Sequence, residues 1–546
     1  MDNQFSEKPA LFECGTGFPI LNTVKYKNRF LYSKYNPEKS ICSLIEKTEI
    51  AQGTIILIFS PCLWYGLRQL KEKLKPNCTI IAVEADRELF TLALSVKEND
   101  IPFYYVNNLK KLDSDTRNLV NSGLFKRILR IDFSGGTQFN SELYNAIESG
   151  LRDIVASFWK NRITLVKLGA LYSKNLIKNL PSVENGILLS DVKKTVNCPI
   201  LVCGAGESLD FTLKNLKKID KDKLFILTVD AALPSFTKAS INVNGVVSLE
   251  SQMAIQNAYI GVKKGTTLFA DISSRTNIPR VLGGNVIWFA TEYAPMKFWD
   301  SLKKAEIIRE LFAPLGSVGL VAVKIALLLR KNDDIPVFVT GLDFSYSIGR
   351  THAKGTPAQE NILLKTNRFF STDNSQAAFV QAAMPTVSKR GKSIATLTNL
   401  KSYAEQFSAI FESEKNLFDI GYDGIPLKIQ SGDFSILERS ILNFSGECDF
   451  ESYILRLNQE LKNKGQKRQF IENEKTALFA LKDLLSNGEK SVFRNENQSL
   501  SEQLKEILNC REYLYAHFPD GYALSLEPNF LKRIRVELDS FLKYLP

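Results

Sequence analysis

The sequence predicts an α/β protein of two or three domains built on mainly parallel sheets. Short runs of apolar, β-branched residues alternate with helical spacing along most of the chain. Glycines and acids cluster where those runs end. A chain of 546 residues is also too long for one ordinary core. The expected division is an N-terminal α/β domain over 1–165, a central α/β domain over 166–430 and a helical C-terminal domain over 431–546.

In chain order, "TIILIF" (Thr54–Phe59) reads as a buried strand and "WYGLRQLKEKL" (Trp64–Leu74) as a helix. "TIIAVEAD" (Thr79–Asp86) reads as a second strand ending in acids. This βαβ unit is Rossmann-like, with Glu84 where a ribose-binding carboxylate would stand. The intervening turn, "SPCLWYG", carries bulky side chains rather than glycines, so the unit reads as a scaffold. Helical spacing covers Ser141–Leu180. Further strands are expected at Ile200–Cys203, Leu224–Val229, Val246–Leu249, Thr267–Ala270, Val286–Ala290 and Val337–Thr340, with a clear helix at Ser317–Arg330. From about Ser431 the pattern is charged and helical.

Composition narrows the function. The chain is 44% hydrophobic and 24% charged, with a mean hydropathy of −0.10, as expected of a soluble globular protein. No apolar run approaches the roughly 20 residues that span a bilayer. The start, "MDNQFSEKPALFECG", lacks the pattern of a secretory signal. Eight scattered cysteines without a CxxC pair argue for reduced thiols in a cytoplasm and against a zinc site. The net charge of +11 is spread along the chain, so an anionic small ligand such as a nucleotide is expected rather than nucleic acid.

The chemistry-bearing stretches lie at strand ends. In "PILVCGAGESLD" (Pro199–Asp210), Gly204, Ala205, Gly206, Glu207 and Ser208 lead from a strand into a helix. Free N–H groups and the helix dipole would favour an anion there. The pattern lacks the third glycine of the dinucleotide fingerprint and the Gly-Lys-Ser/Thr of a P-loop, and a plain tight turn with Ser208 as a cap explains it as well. Asp230, Glu250 and Asp343 follow other strands, and each could equally be a cap or a solvated charge. Gly316-Ser317 opens the apolar helix, as a second anion seat or an ordinary N-cap. "GLDFSYSIGRTHAKGT" (Gly341–Thr356) holds Arg350, Thr351 and His352, the last being one of two histidines in the chain. An exposed loop imidazole suits general-base work near neutral pH. His517, among aromatics in the tail, reads as structural. No Asp-x-Asp pair occurs in these loops, so no essential metal is expected.

These residues, in this order, resemble the motility-associated factor (Maf) family of flagellin glycosyltransferases. The likeness is carried by "FLYSKYNPEKS" (Phe30–Ser40), by "PILVCGAGESLD" with "TVDAALPSFTKASINVNGVVSLESQ" (Thr228–Gln252), and by "APLGSVGLVAVKIALLL" (Ala313–Leu329) with "FVTGLDFSYSIGRTHAKGT". It implies a central catalytic domain that is sialyltransferase-like and related to pterin pyrophosphokinases. The shared loops map onto Gly204, Gly206, Ser208 and Leu209, then Asp230, then Gly316 and Ser317, then Gly341, Asp343 and Phe344. The implied reaction is an inverting transfer of a nonulosonic acid, pseudaminic or legionaminic, from a CMP-activated donor to Ser or Thr hydroxyls of flagellin, with no other cofactor. His352 and Asp343 are the catalytic candidates, and the other loop residues are donor-binding. The N-terminal domain and the helical tail would recognise flagellin. Glu207 replaces the family's proline and Glu250 its aspartate, while "SPCLWYG" (Ser60–Gly66) replaces a glycine-rich loop. Two alternatives stand beside this reading: a pterin or nucleotide pyrophosphokinase using Mg-ATP, and a non-enzymatic flagellin-binding protein with a decayed site.

Overall fold

Every residue of Thr54–Phe59 is buried, as a strand covered on both faces requires. The computed structural model describes residues 8–14, 21–98, 100–347, 349–372, 383–463 and 469–545, the side chains of residues 462 and 463 excepted. The chain divides into two compact units, Met1–Lys167 with Ala516–Leu524, and Leu168–Tyr515 with Ser525–Pro546.

The first unit carries a small antiparallel sheet of β1 (Ala10–Cys14), β2 (Leu21–Tyr26) and β3 (Arg29–Phe30). Its main sheet is parallel: β4 (Thr54–Phe59), β5 (Thr79–Glu84), β6 (Phe103–Tyr105) and β7 (Arg127–Asp132), in the order β6-β5-β4-β7. The chain runs outward from β4 to β6 and then returns to the other side of β4, which puts a topological switch point between β4 and β7. The expected helix from Trp64 begins only at Leu67. Ser60, Cys62 and Trp64 hold left-handed backbone at φ 49°, 47° and 58°, which a right-handed helix cannot include. The helical spacing after Ser141 is one helix, Ser141–Glu184.

In the second unit the strands are β8 (Ile187–Leu188), β9 (Ile200–Cys203), β10 (Phe225–Val229), β11 (Gly245–Ser248), β12 (Thr267–Asp271), β13 (Val286–Phe289) and β14 (Val337–Thr340). A hairpin of β15 (Met384–Val387) and β16 (Ser393–Thr396) follows, then β17 (Leu417–Asp419) and β18 (Gln430–Ser431). Among the described residues the main sheet runs β18-β17-β14-β9-β10-β11-β12-β13-β8, all parallel. The six strands expected here all form within a residue or two of their expected bounds. The chain again works outward from β9, then returns to its other side with β14, so a second switch point lies between β9 and β14.

The helix Val318–Leu329 is apolar nearly all round and lies against β9, β10, β11 and β14. The tail is helical, as its pattern predicts. Its residues Phe434, Leu437, Ile441, Phe450 and Ile454 belong to the same core as β9 and β10. One expectation is overturned here: Cys198 and Cys448 are joined by a disulfide. They stand 250 residues apart in sequence and 5.5 Å apart at Cα, a proximity that no local spacing reveals. The other six cysteines are free, and the argument from cysteines to a reducing compartment no longer holds as stated. No helix among the described residues is long and apolar enough to cross a membrane.

Candidate active site

At the second switch point two buried strands end side by side, and their turns touch. The Gly204 N–H donates to Thr340 O and the Gly206 N–H to Gly341 O, both at 2.8 Å. A Cβ on Gly204 would stand 2.3 Å from Gly341 O, and Gly341 itself holds a φ of +65°. Both positions therefore need glycine, for approach in one case and for backbone in the other.

The loop after β14 crosses this junction and is pinned to it repeatedly. The buried Asp343 carboxylate accepts from the Ser208 N–H at 2.8 Å. Ser347 donates to Glu207 from its N–H (2.5 Å) and its hydroxyl (3.1 Å). Arg350 pairs with Asp210. The Ala353 N–H donates to Ala205 O at 2.9 Å, and the Lys354 N–H to Asp210 at 3.0 Å. The seat expected to receive a phosphate at Gly206–Ser208 is therefore filled by the protein's own carboxylate. Glu207 reaches this arrangement through Ser347 rather than through a lysine or arginine. Ser208 does not cap its helix: its hydroxyl bonds the main chain of Asp423 in both directions, at 2.9 Å.

The crossing loop has a different cavity on each side. The larger, about 930 Å³, is lined by Glu207, Ser208, Asp343, Tyr346, Arg350 and Tyr422 among others. The smaller, about 260 Å³, is lined by Ala231, Glu250, Gln252, His352 and Thr356 among others. The candidate residues are thus divided, with Asp343 facing one space and His352 the other. Gly316 and Ser317 line neither. Ser317 is an ordinary N-cap whose hydroxyl accepts from the Gly319 N–H at 3.2 Å.

Burial sets the ionisation of these groups. It pushes Asp343 up to about 7, against the pull of the Ser208 hydrogen bonds and of Lys389. It also pushes Asp230 up to about 7, against bonds from the Ala231 N–H (2.8 Å) and the Ser248 hydroxyl (3.2 Å). Asp230 is buried and belongs to neither lining, although its neighbour Ala231 lines the smaller cavity. The expectation of an exposed His352 is corrected: it is partly buried, and desolvation holds its pKa below the usual histidine value. Its Nδ1 lies 2.9 Å from Thr351 Oγ1. Glu250 accepts from the Gln252 N–H at 2.9 Å.

Reasoning from sequence missed Tyr422 and Asp423 in the lining of the larger cavity, and the charged pair near Asp343 behind it. Lys389 bridges Asp419, at 2.7 Å, and Gly421 O, at 3.1 Å, beside Asp343. Tyr422 and Asp423 follow β17, a three-residue strand too short to show periodicity. The one available signal was "FDIGYDG", acids and glycines directly after an apolar pair.

Residues 174–349, from before β8 to inside the crossing loop, match the family described as 6-hydroxymethylpterin diphosphokinase MptE-like. An uncharacterized protein of Treponema pallidum (strain Nichols) is 29% identical over 570 residues, covering 98% of this chain and 95% of that protein. The structure of a Maf glycosyltransferase from Magnetospirillum magneticum AMB-1 superposes with a TM-score of 0.57 at 15% identity, over 98% of this chain and 91% of that one. The chain shares that fold along nearly its whole length, which agrees with the Maf resemblance read from the sequence.

Proposed function

We propose that the chain is a glycosyltransferase, moving a nonulosonic acid of the pseudaminic or legionaminic type from a CMP-activated donor to Ser or Thr hydroxyls of flagellin. One observation carries the reading: the fold likeness to a Maf glycosyltransferase extends over 98% of the chain, flanking regions included. A small-molecule kinase has no use for those flanks.

In this reading the donor's nucleotide lies over the ends of β9, β10 and β11, with Glu250 near the surface and Asp230 beneath. Of the two expected anion seats, the helix start at Ser317 is bonded to no carboxylate among the described residues. Binding at Gly206–Ser208 requires the ligand to displace Asp343. The acceptor oxygen attacks the anomeric carbon as the bond to the nucleotide phosphate breaks. His352 takes the acceptor proton: with Nδ1–H donating to Thr351 Oγ1, Nε2 keeps its lone pair. A partly buried imidazole with a lowered pKa is neutral near pH 7, as a base must be.

The test is the intact mass of flagellin from a strain lacking the gene, which drops by whole sugar units. An unchanged mass overturns the transfer and leaves a binding role without chemistry. The MptE-like match over residues 174–349 favours a second reading, diphosphate transfer from Mg-ATP. Binding of ATP-Mg without CMP would select it. Cytoplasmic action is part of the proposal, and counting thiols on denatured, unreduced protein checks it. Eight reactive thiols fit a reducing compartment, and six fit the Cys198–Cys448 bond.

A further inference from the structure

The larger cavity has features that donor binding does not use. Leu209, Leu213 and Leu216 form the buried stripe of the helix Leu209–Leu216. Phe211 falls off that stripe and is 39% exposed. It packs against Tyr422, 43% exposed, in a tilted pair with ring centres 4.7 Å apart and planes 31° apart. The Arg390 guanidinium lies over the Tyr422 ring, 4.1 Å from its centre, and steadies it. Two large rings from separate segments thus form a ledge in the wall of a polar cavity. The same wall holds Tyr346, only 4% exposed, whose hydroxyl has no hydrogen-bond partner among the described residues. A buried hydroxyl left unsatisfied is costly and points to a partner that arrives with a ligand.

The charges around the ledge narrow the ligand's chemistry. Lys238 is paired with Glu360, and Arg350 with Asp210. The remaining lining charges are Lys214, Lys354 and Lys392 against Glu207, Asp343 and Asp423. This balance leaves the lining without a dominant positive charge, since three lysines face Glu207, Asp423 and a partly protonated Asp343. It suits a ring whose hydroxyls both donate and accept, while its apolar C–H face lies on an aromatic surface. We propose that the larger cavity is a carbohydrate subsite that holds a neutral saccharide, apart from the crevice around His352 and Glu250. This binding chemistry stands independently of the transferase reading.

The experiment is saturation-transfer NMR on the full chain with chitobiose, cellobiose and maltose as probes, alongside CMP binding by calorimetry. At least one disaccharide binds, and Phe211→Ala and Tyr422→Ala each weaken it by about tenfold or more while CMP affinity stays within twofold. Tyr346→Phe, which keeps the ring and removes only the unpartnered hydroxyl, weakens the saccharide by a smaller factor. If no disaccharide binds, or if the ring variants leave its affinity unchanged, the subsite is overturned. It is equally overturned if those variants abolish CMP binding, because the cavity is then the nucleotide site. Saccharide binding with an unchanged flagellin mass would retain the subsite and sink the transfer reading, so the two failures are distinguishable.

Discussion

The two parallel sheets reverse direction in the same way, β4 against β7 in the first unit and β9 against β14 in the second. Among the described residues, the second reversal opens into cavities lined by candidate chemistry, while the first is closed by its own side chains. In the first, the loop after β4 turns through three left-handed non-glycine residues, and Cys62 and Trp64 are buried where a ligand would approach. Ser60 and Ser134 close the gap between the loops with a hydroxyl–hydroxyl bond of 3.0 Å. Glu84, the acid expected to hold a ribose, is fully buried, and its Oε1 accepts from the Ala85 N–H, the Asp86 N–H and the Tyr144 hydroxyl. In the second reversal, glycines let the backbones meet, and a long loop crosses with space on both sides. Topology supplies the place for a crevice; loop side-chain volume decides whether one exists.

The sharpest test of that contrast is His352→Ala. It lowers glycosyl transfer by roughly 10² to 10⁴, with CMP affinity little changed. A variant with full activity removes the smaller cavity as the reacting centre. In the wild type the acid limb of the rate profile falls below the usual histidine range, since burial lowers the pKa of a group that must be unprotonated.

Next in size, Gly204→Ala drives a Cβ toward Gly341 O and destabilises the protein by about 1–3 kcal/mol, read from denaturant unfolding. An unchanged midpoint would show that the turns do not need to touch.

The third effect concerns Asp343. Its folded pKa lies near 7, above the unfolded value near 4, so the folded state binds more protons between those limits. Its contribution favours folding at about pH 4 and is lost as pH rises through about 7. Asp343→Asn therefore makes the stability difference between pH 5 and pH 8 smaller, by about 1 kcal/mol or more. An unaltered pH slope would mean that the carboxyl is ionised throughout.

The smallest expected change in activity comes from Glu84→Gln in the first unit. It costs stability by roughly 1–2 kcal/mol through disturbed buried hydrogen bonds, yet leaves transfer and CMP affinity as they are. A fall in nucleotide affinity would make the first reversal a binding site after all.

Much of this was legible in residue order. The buried strands announce themselves as continuous apolar runs, and Gly204, Gly206, Gly341 and the Ser317 cap mark the turns, because each depends on a few neighbouring residues. The short β17 was not legible, and with it went Asp419, Tyr422 and Asp423. Nor could spacing tell that His352 is partly buried, since the atoms that desolvate it come from loops after other strands.

By itself, then, the sequence determined the α/β class, the main strands and the strand-end loops that could carry chemistry. Only the tertiary structure decided which of those residues share a space. The Ser208 N–H meets a carboxylate 135 positions away, and Cys198 is bonded to a cysteine 250 positions away. Asp343 and His352 line different cavities beside one loop, although they stand only nine positions apart in the chain. Local patterning is set by steric and hydrophobic preferences that act over a turn or a strand. Pairings at long range exist only once the sheet has brought the loop ends together.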